Sequence, residues 1–86
     1  MIIGFSDRGW EDYLYWQKTE KKILKRINLL LADIQRKPCS SDGLGKPERL
    51  KDNLQGYFSR RITSEHRLVY TINNDLIIIA QCRYHY

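Results

Sequence analysis

The sequence has no long apolar run. Its most apolar stretch is Leu76-Ile77-Ile78-Ile79-Ala80-Gln81-Cys82, far below the roughly 20 residues that cross a bilayer as a helix, so no membrane partner is expected. The opening Met1-Ile2-Ile3-Gly4-Phe5 is too short for a secretory signal and lacks its basic flank, which makes a cytoplasmic location the expectation. Cysteine is scarce: Cys39 and Cys82 are the only two, at a spacing that matches no zinc or redox motif. Cys82 reads as a small core residue and Cys39 as a loop thiol. No cluster has metal-ligand spacing, so neither a metal nor a cofactor is expected. The 86 residues suit one domain, 1–86, whose core buries only roughly 60% of the unfolded surface. An active site in so small a body is a shallow groove built from side chains on rigid elements. Acidic residues are the minority, ten Asp and Glu against fifteen Lys and Arg, for a formal charge of +5. With aromatic residues at 12%, this balance matches the electrostatic footprint of nucleic-acid binding.

Residues 1–5 read as a short strand. Ser6 and Asp7 are N-cap candidates for a helix with Trp10, Tyr13 and Leu14 on its apolar face, spaced i, i+3, i+4. Thr19 caps a second helix reaching about Arg36, with the core stripe Ile23, Ile27, Leu30, Leu31 and Ile34. Lys18, Lys21, Lys22 and Lys25 recur at helical spacing on the opposite side, either as ordinary solvated surface or as a phosphate-facing ridge. Pro38 ends the helix, because its ring and missing N–H cannot continue the ladder. From Cys39 to about Gly56 the chain reads as a loop, long enough to suggest a function, with Leu50 and Leu54 pinning it to the core. Strands follow over Tyr57–Thr63, Arg67–Ile72 and Leu76–Cys82. The turns Ser64-Glu65-His66 and Asn73-Asn74-Asp75 join them, the second with residues that tolerate positive φ. The expected fold is α+β, in the order β-α-α-β-β-β: two N-terminal helices packed on one face of a small antiparallel sheet.

With helices on one face, strand residues of suitable parity emerge on the other. Arg61 and Arg67 flank one tight hairpin and should be neighbours. Arg83 and His85 share parity at the end of the next strand, and Lys46, Lys51 and Glu48 lie in the preceding loop. Clustered cations repel one another unless an anion binds among them. Taken singly, each arginine is better explained by pairing with Glu48, Asp52 or Glu65. His85 is either a surface residue on a tail or a positioned acid or base. As a set these residues suit cleavage of an RNA phosphodiester. That reaction needs a base for the 2′-hydroxyl, an acid for the departing 5′-oxygen and cations around the phosphorane. Glu48 supplies a carboxylate, His85 an imidazole and Arg67 a planar fork of donors matched to phosphate oxygens. No local signal brings Glu48 and His85 together.

Five ordered segments carry a resemblance. They are Trp10 to Gln17, Gly45-Lys46-Pro47-Glu48, Ser59-Arg60-Arg61-Ile62-Thr63, Glu65-His66-Arg67-Leu68-Val69-Tyr70 and Cys82-Arg83-Tyr84-His85-Tyr86. Together the chain resembles, essentially end to end, the Txe/YoeB family of toxins from bacterial type II toxin–antitoxin systems, within the RelE-like fold. The resemblance implies a ribosome-dependent endoribonuclease that cuts mRNA in the ribosomal A site. It also implies a YefM (Phd-like) antitoxin as partner, alongside the bacterial ribosome and mRNA. By matching motif it makes Glu48 the general base, Arg67 the catalytic arginine and His85 the general acid. Lys51 and Arg61 become phosphate-binding positions, joined by Lys46, Arg83 and the terminal Tyr86. Lys18, Lys21, Lys22 and Lys25 become a ribosomal RNA contact, and Tyr86 or Tyr84 a stacking partner for a splayed base. Trp10 then reads as core, with Tyr15 and Trp16 lining a self-association surface of a homodimer. Two departures fall in the loop before the strands: Arg49 stands where a proline is expected, and the 39–44 segment is slightly long.

Two rival readings remain at this point. One is a protein that occupies the ribosomal A site without cutting, since fold alone never fixes function. The other is an interaction module whose only partner is an acidic protein. Glu48 argues against both, because a glutamate in a phosphate groove is a liability unless it moves protons.

Overall fold

A computed structural model describes residues 1–39 and 41–86; Ser40, within the 39–44 segment, lies outside the described residues. The elements are β1 (Ile2–Phe5), α1 (Asp7–Thr19), α2 (Lys21–Arg36), β2 (Glu48–Arg49), a 3₁₀ turn (Asp52–Leu54), β3 (Tyr57–Arg61), β4 (Arg67–Asn73) and β5 (Leu76–Gln81). The strands form one sheet in the order β1-β5-β4-β3-β2.

The expected α+β class stands, with two corrections to the sheet. First, β1 runs parallel to β5, Ile2 opposite Leu76 and Phe5 opposite Ile79, so the sheet is mixed rather than antiparallel. β2 to β5 alternate in direction, so β5, like β3, runs with β1 while β2 and β4 run against it. Second, the long loop contains a strand. Glu48 and Arg49 pair antiparallel with Ser59 and Phe58, and Leu50 N–H donates to the Tyr57 carbonyl at 2.9 Å. Two exposed charged residues carry no apolar alternation, which is why no sequence pattern marks β2.

Both helices cover one face of the sheet. Ile27, Leu30 and Ile34 of α2 and Trp16 of α1 pack with Leu68, Tyr70, Ile77 and Ile79 in one core. The second helix begins one residue later than expected. Glu20, not Thr19, is the N-cap and accepts from the Lys22 N–H, while Thr19 closes α1 and donates its hydroxyl to the Tyr15 carbonyl at 2.7 Å. Ser6 caps α1, accepting from the Gly9 N–H at 3.1 Å. The buried face of α1 is Gly9, Asp12 and Trp16; of the expected Trp10, Tyr13 and Leu14, Tyr13 packs half-buried against the core. Trp10 is 48% exposed and Trp16 only 5%, so the expected places of the two tryptophans are exchanged. The cause is polar: Trp16 Nε1 donates to the Cys82 carbonyl at 2.8 Å, and Asp12 Oδ2 accepts from the Cys82 N–H at 3.0 Å. Backbone groups at the end of β5 need those partners, and an apolar stripe offers none. Cys82 is fully buried, as expected, and burial pushes its thiol up to about 12.

Candidate active site

Strand parity divides the arginines. Arg60 pairs with Leu68 on the helix side, whereas Arg61 pairs with Arg67 and Ser59 with Val69 on the other. Arg60 is fully buried; its guanidinium meets Asp33, the Tyr70 hydroxyl at 3.1 Å and the Leu44 and Lys37 carbonyls, each at 3.2 Å. Leu44 N–H also donates to Asp33 at 2.9 Å. Next along the chain, the Gly45 carbonyl accepts from the Arg61 N–H at 2.7 Å. These bonds lock the chain three residues before Glu48 and so fix where β2 starts. Lys46 follows in the left-handed region, φ 52°, and it is exposed.

The open face carries the candidates. Glu48 lies opposite Ser59, and the Ser59 hydroxyl meets the Tyr86 hydroxyl at 3.4 Å. Ser59 and Val69 are buried there, outside the helix-side core. A groove of about 420 Å³ is lined by Glu48, Arg49, Leu50, Lys51, Asp52, Leu54 and Tyr86. Three of the candidates, Glu48, Lys51 and Tyr86, therefore share one groove although 38 residues of sequence separate Glu48 from Tyr86. His85 does not line it. It is exposed beside it, its ring tilted on that of Tyr86 with centroids 4.8 Å apart and its Nδ1 3.3 Å from the Tyr86 carbonyl. Arg61 and Arg67 are register neighbours, as the hairpin required. Arg67 turns Nη1 to the carbonyls of Thr63 (2.8 Å), His66 (3.2 Å) and Ser64 (3.4 Å).

The expected parity of Arg83 with His85 does not carry through, because β5 stops at Gln81 and Tyr84 takes φ 66°. The left-handed residue turns the tail out of strand geometry. Arg83 lies 3.6 Å from the centroid of Tyr15 and 4.6 Å from that of Tyr84, and donates to the Tyr84 hydroxyl at 2.9 Å. Cation–π contacts thus hold this guanidinium between α1 and the tail. The four lysines are not one helical stripe. Lys18 closes α1 and Lys21, Lys22 and Lys25 open α2, so the break at Glu20 gathers them, all exposed, around the corner between the helices.

Sequence reasoning gave no role to Asp12, Ser59 or His66 and set Trp16 on a self-association surface, yet these four hold the tail or meet its end. His66 sits in a quoted motif, but only the fold reveals that its ring faces residue 84.

Residues 5–86 match the family described as YoeB-like toxin of bacterial type II toxin–antitoxin system. The chain belongs to the YoeB family of toxins. Toxin YoeB of Escherichia coli (strain K12) is 57% identical over 86 residues, with all of both chains covered. Among solved structures, the YoeB/ParE toxin from Agrobacterium tumefaciens superposes with TM-score 0.94 at 42% identity over the whole of both chains. YoeB of Staphylococcus aureus is 53% identical over all of this chain and 98% of that one. It is known as a dimer, at TM-score 0.90, and in a heterotetrameric YoeB-YefM toxin–antitoxin complex, at 0.89. The chain described above is thus a type II toxin of this family, with no described helix long and apolar enough to cross a membrane.

Proposed function

We propose that this toxin is a ribosome-dependent endoribonuclease that cleaves mRNA in the A site by metal-independent acid–base chemistry. The observation that carries the reading is the meeting of Glu48 and Tyr86 in one groove, with the His85 ring tilted against that of Tyr86. Glu48 takes the proton of the 2′-hydroxyl, which attacks the adjacent phosphorus. His85 protonates the departing 5′-oxygen, leaving a cyclic phosphate and a free hydroxyl. Arg67 carries the charge that grows on the phosphorane, using the donors its turn carbonyls leave free. Arg61 and Lys51 hold the flanking phosphates, Lys46 extends that cationic edge, and Tyr86 offers a face for a splayed base. Arg83 belongs to the same site through its grip on the tail. Lys18, Lys21, Lys22 and Lys25 meet ribosomal RNA. The partners are a YefM-type antitoxin, the bacterial ribosome with its mRNA, and a second copy of the chain in a homodimer, all acting in the cytoplasm.

The test is primer extension on mRNA programmed on purified bacterial ribosomes. Wild type is expected to cut within the A-site codon. Glu48→Gln and His85→Ala are each expected to bind ribosomes as wild type does and to cut at least about a hundredfold more slowly, the usual scale of one acid or base. A folded, ribosome-bound wild type that leaves the mRNA intact would instead make the protein an A-site blocker.

A further inference from the structure

The tail that carries His85 leaves the sheet through four hydrogen bonds to its own backbone. Asp12 and Trp16 hold the N–H and carbonyl of Cys82. Two residues on, Tyr84 N–H donates to His66 Nδ1 at 2.7 Å and the Tyr84 carbonyl accepts from the Arg67 N–H at 3.0 Å. From this geometry we infer that His66 is a positioning residue for His85: its ring, as acceptor of the Tyr84 N–H, sets the bend that lays the last two residues beside the groove. The inference rests on the nuclease reading only for its effect on catalysis; the clamp itself stands on the hydrogen bonds.

Three features support it. Tyr84 is 53% exposed and sits at φ 66°, a conformation that a residue with a Cβ seldom adopts by itself. Burial does not impose that bend, so specific bonds must. His66, in turn, is fixed before it meets the tail. Its N–H donates to Thr63 Oγ1 at 3.1 Å, its carbonyl accepts from the Ile62 and Thr63 N–H groups at 3.0 and 3.3 Å, and its ring stands edge-on to Trp16, centroids 4.8 Å apart. The bond also demands one form of the ring, neutral with its proton on Nε2, because an imidazolium donates from both nitrogens and accepts at neither. Arg67, proposed to stabilise the reacting phosphate, contributes its backbone to the same clamp. Substrate-side cation and tail-borne acid are thereby tied to one hairpin.

The experiment compares His66→Ala with His66→Asn, whose amide oxygen can take the place of Nδ1. Two readouts are followed: release of Tyr86 and His85 by a carboxypeptidase, and mRNA cleavage on programmed ribosomes. In His66→Ala, tail digestion should quicken about tenfold, the shift in an equilibrium that one lost hydrogen bond produces. Its kcat should fall about tenfold through misplacement of the acid, with KM unchanged. Asn should restore both. In wild type the Tyr84 amide should be protected from hydrogen exchange despite its exposure, and in His66→Ala it should not. Wild-type digestion rates in His66→Ala, failure of Asn to restore either readout, or an unprotected Tyr84 amide in wild type would each overturn the inference. If wild type cuts no mRNA, the nuclease reading fails, while the digestion and exchange data still decide the clamp.

Discussion

Arg60 and Asp33 form a costly arrangement, a charge pair taken almost wholly out of water. Such a pair is tolerable only when every remaining donor and acceptor is met. Here Arg60 also reaches Tyr70 and two carbonyls, and Asp33 also takes the Leu44 N–H and Arg36. The Leu44 N–H, then Arg60, hold the Asp33 carboxyl down at about 2 against an ordinary 3.8. A carboxyl lowered by folding stabilises the native state fully above its unfolded value and loses that contribution as pH falls through the folded one. Asp33→Asn would strand the Arg60 guanidinium and is expected to cost about 3 kcal/mol at neutral pH, read by urea unfolding. Wild type's advantage over the variant should then shrink between pH 3.8 and about 2. Because the same bonds fix Leu44 and Gly45 ahead of β2, the variant should also slow mRNA cleavage by displacing Glu48.

At the scale of elements, the contact of α1 with β5 decides where the tail begins. Gly9 opens the buried face of α1, in the helix's first turn, and a Cβ there would run into the Ile79 carbonyl and crowd the Ser6 hydroxyl. The close approach lets Ser6 donate to the Ala80 carbonyl at 3.0 Å and places Asp12 and Trp16 on Cys82. Glycine in a helix interior normally costs about 1 kcal/mol against alanine. Here the sign should reverse: Gly9→Ala is expected to destabilise by about 2 kcal/mol, lower the melting temperature, and speed carboxypeptidase attack on the tail as α1 lifts from β5.

For the whole molecule the governing quantity is the excess of cations, a formal +5. If the proposed ribosomal RNA contact holds, binding releases counterions, and affinity should fall linearly with the logarithm of salt concentration. The lysines at the α1–α2 corner belong to two helices, yet all four are exposed. Replacing Lys18, Lys21, Lys22 and Lys25 together by Gln should reduce that salt slope by roughly 3 in a ribosome-binding titration. At saturating ribosomes the cleavage rate should stay near wild type, because none of the four faces the groove. An unchanged slope would return these lysines to ordinary solvated surface.

The sequence by itself determined the α+β class, both helices, the three long strands and the family, because apolar periodicity, turn residues and ordered motifs are local signals. Ile27, Leu30 and Ile34 repeat at helical spacing and are buried for that reason; Asn74 takes φ 57° in the hairpin turn where its side chain tolerates it. Only the tertiary structure decided the parallel pairing of β1, the two-residue strand that carries Glu48, and which tryptophan is inside. The first and last turn on hydrogen bonds between residues more than sixty apart, such as Trp16 to Cys82, and β2 rests on pairing with Ser59 and Phe58 across a turn; no periodicity encodes a bond. The candidate site divides in the same way. Its residue types were legible as a carboxylate, an imidazole and a set of cations. Their assembly was not, because Glu48 and Tyr86 meet only where β2, β3 and the bent tail close on one face of the sheet.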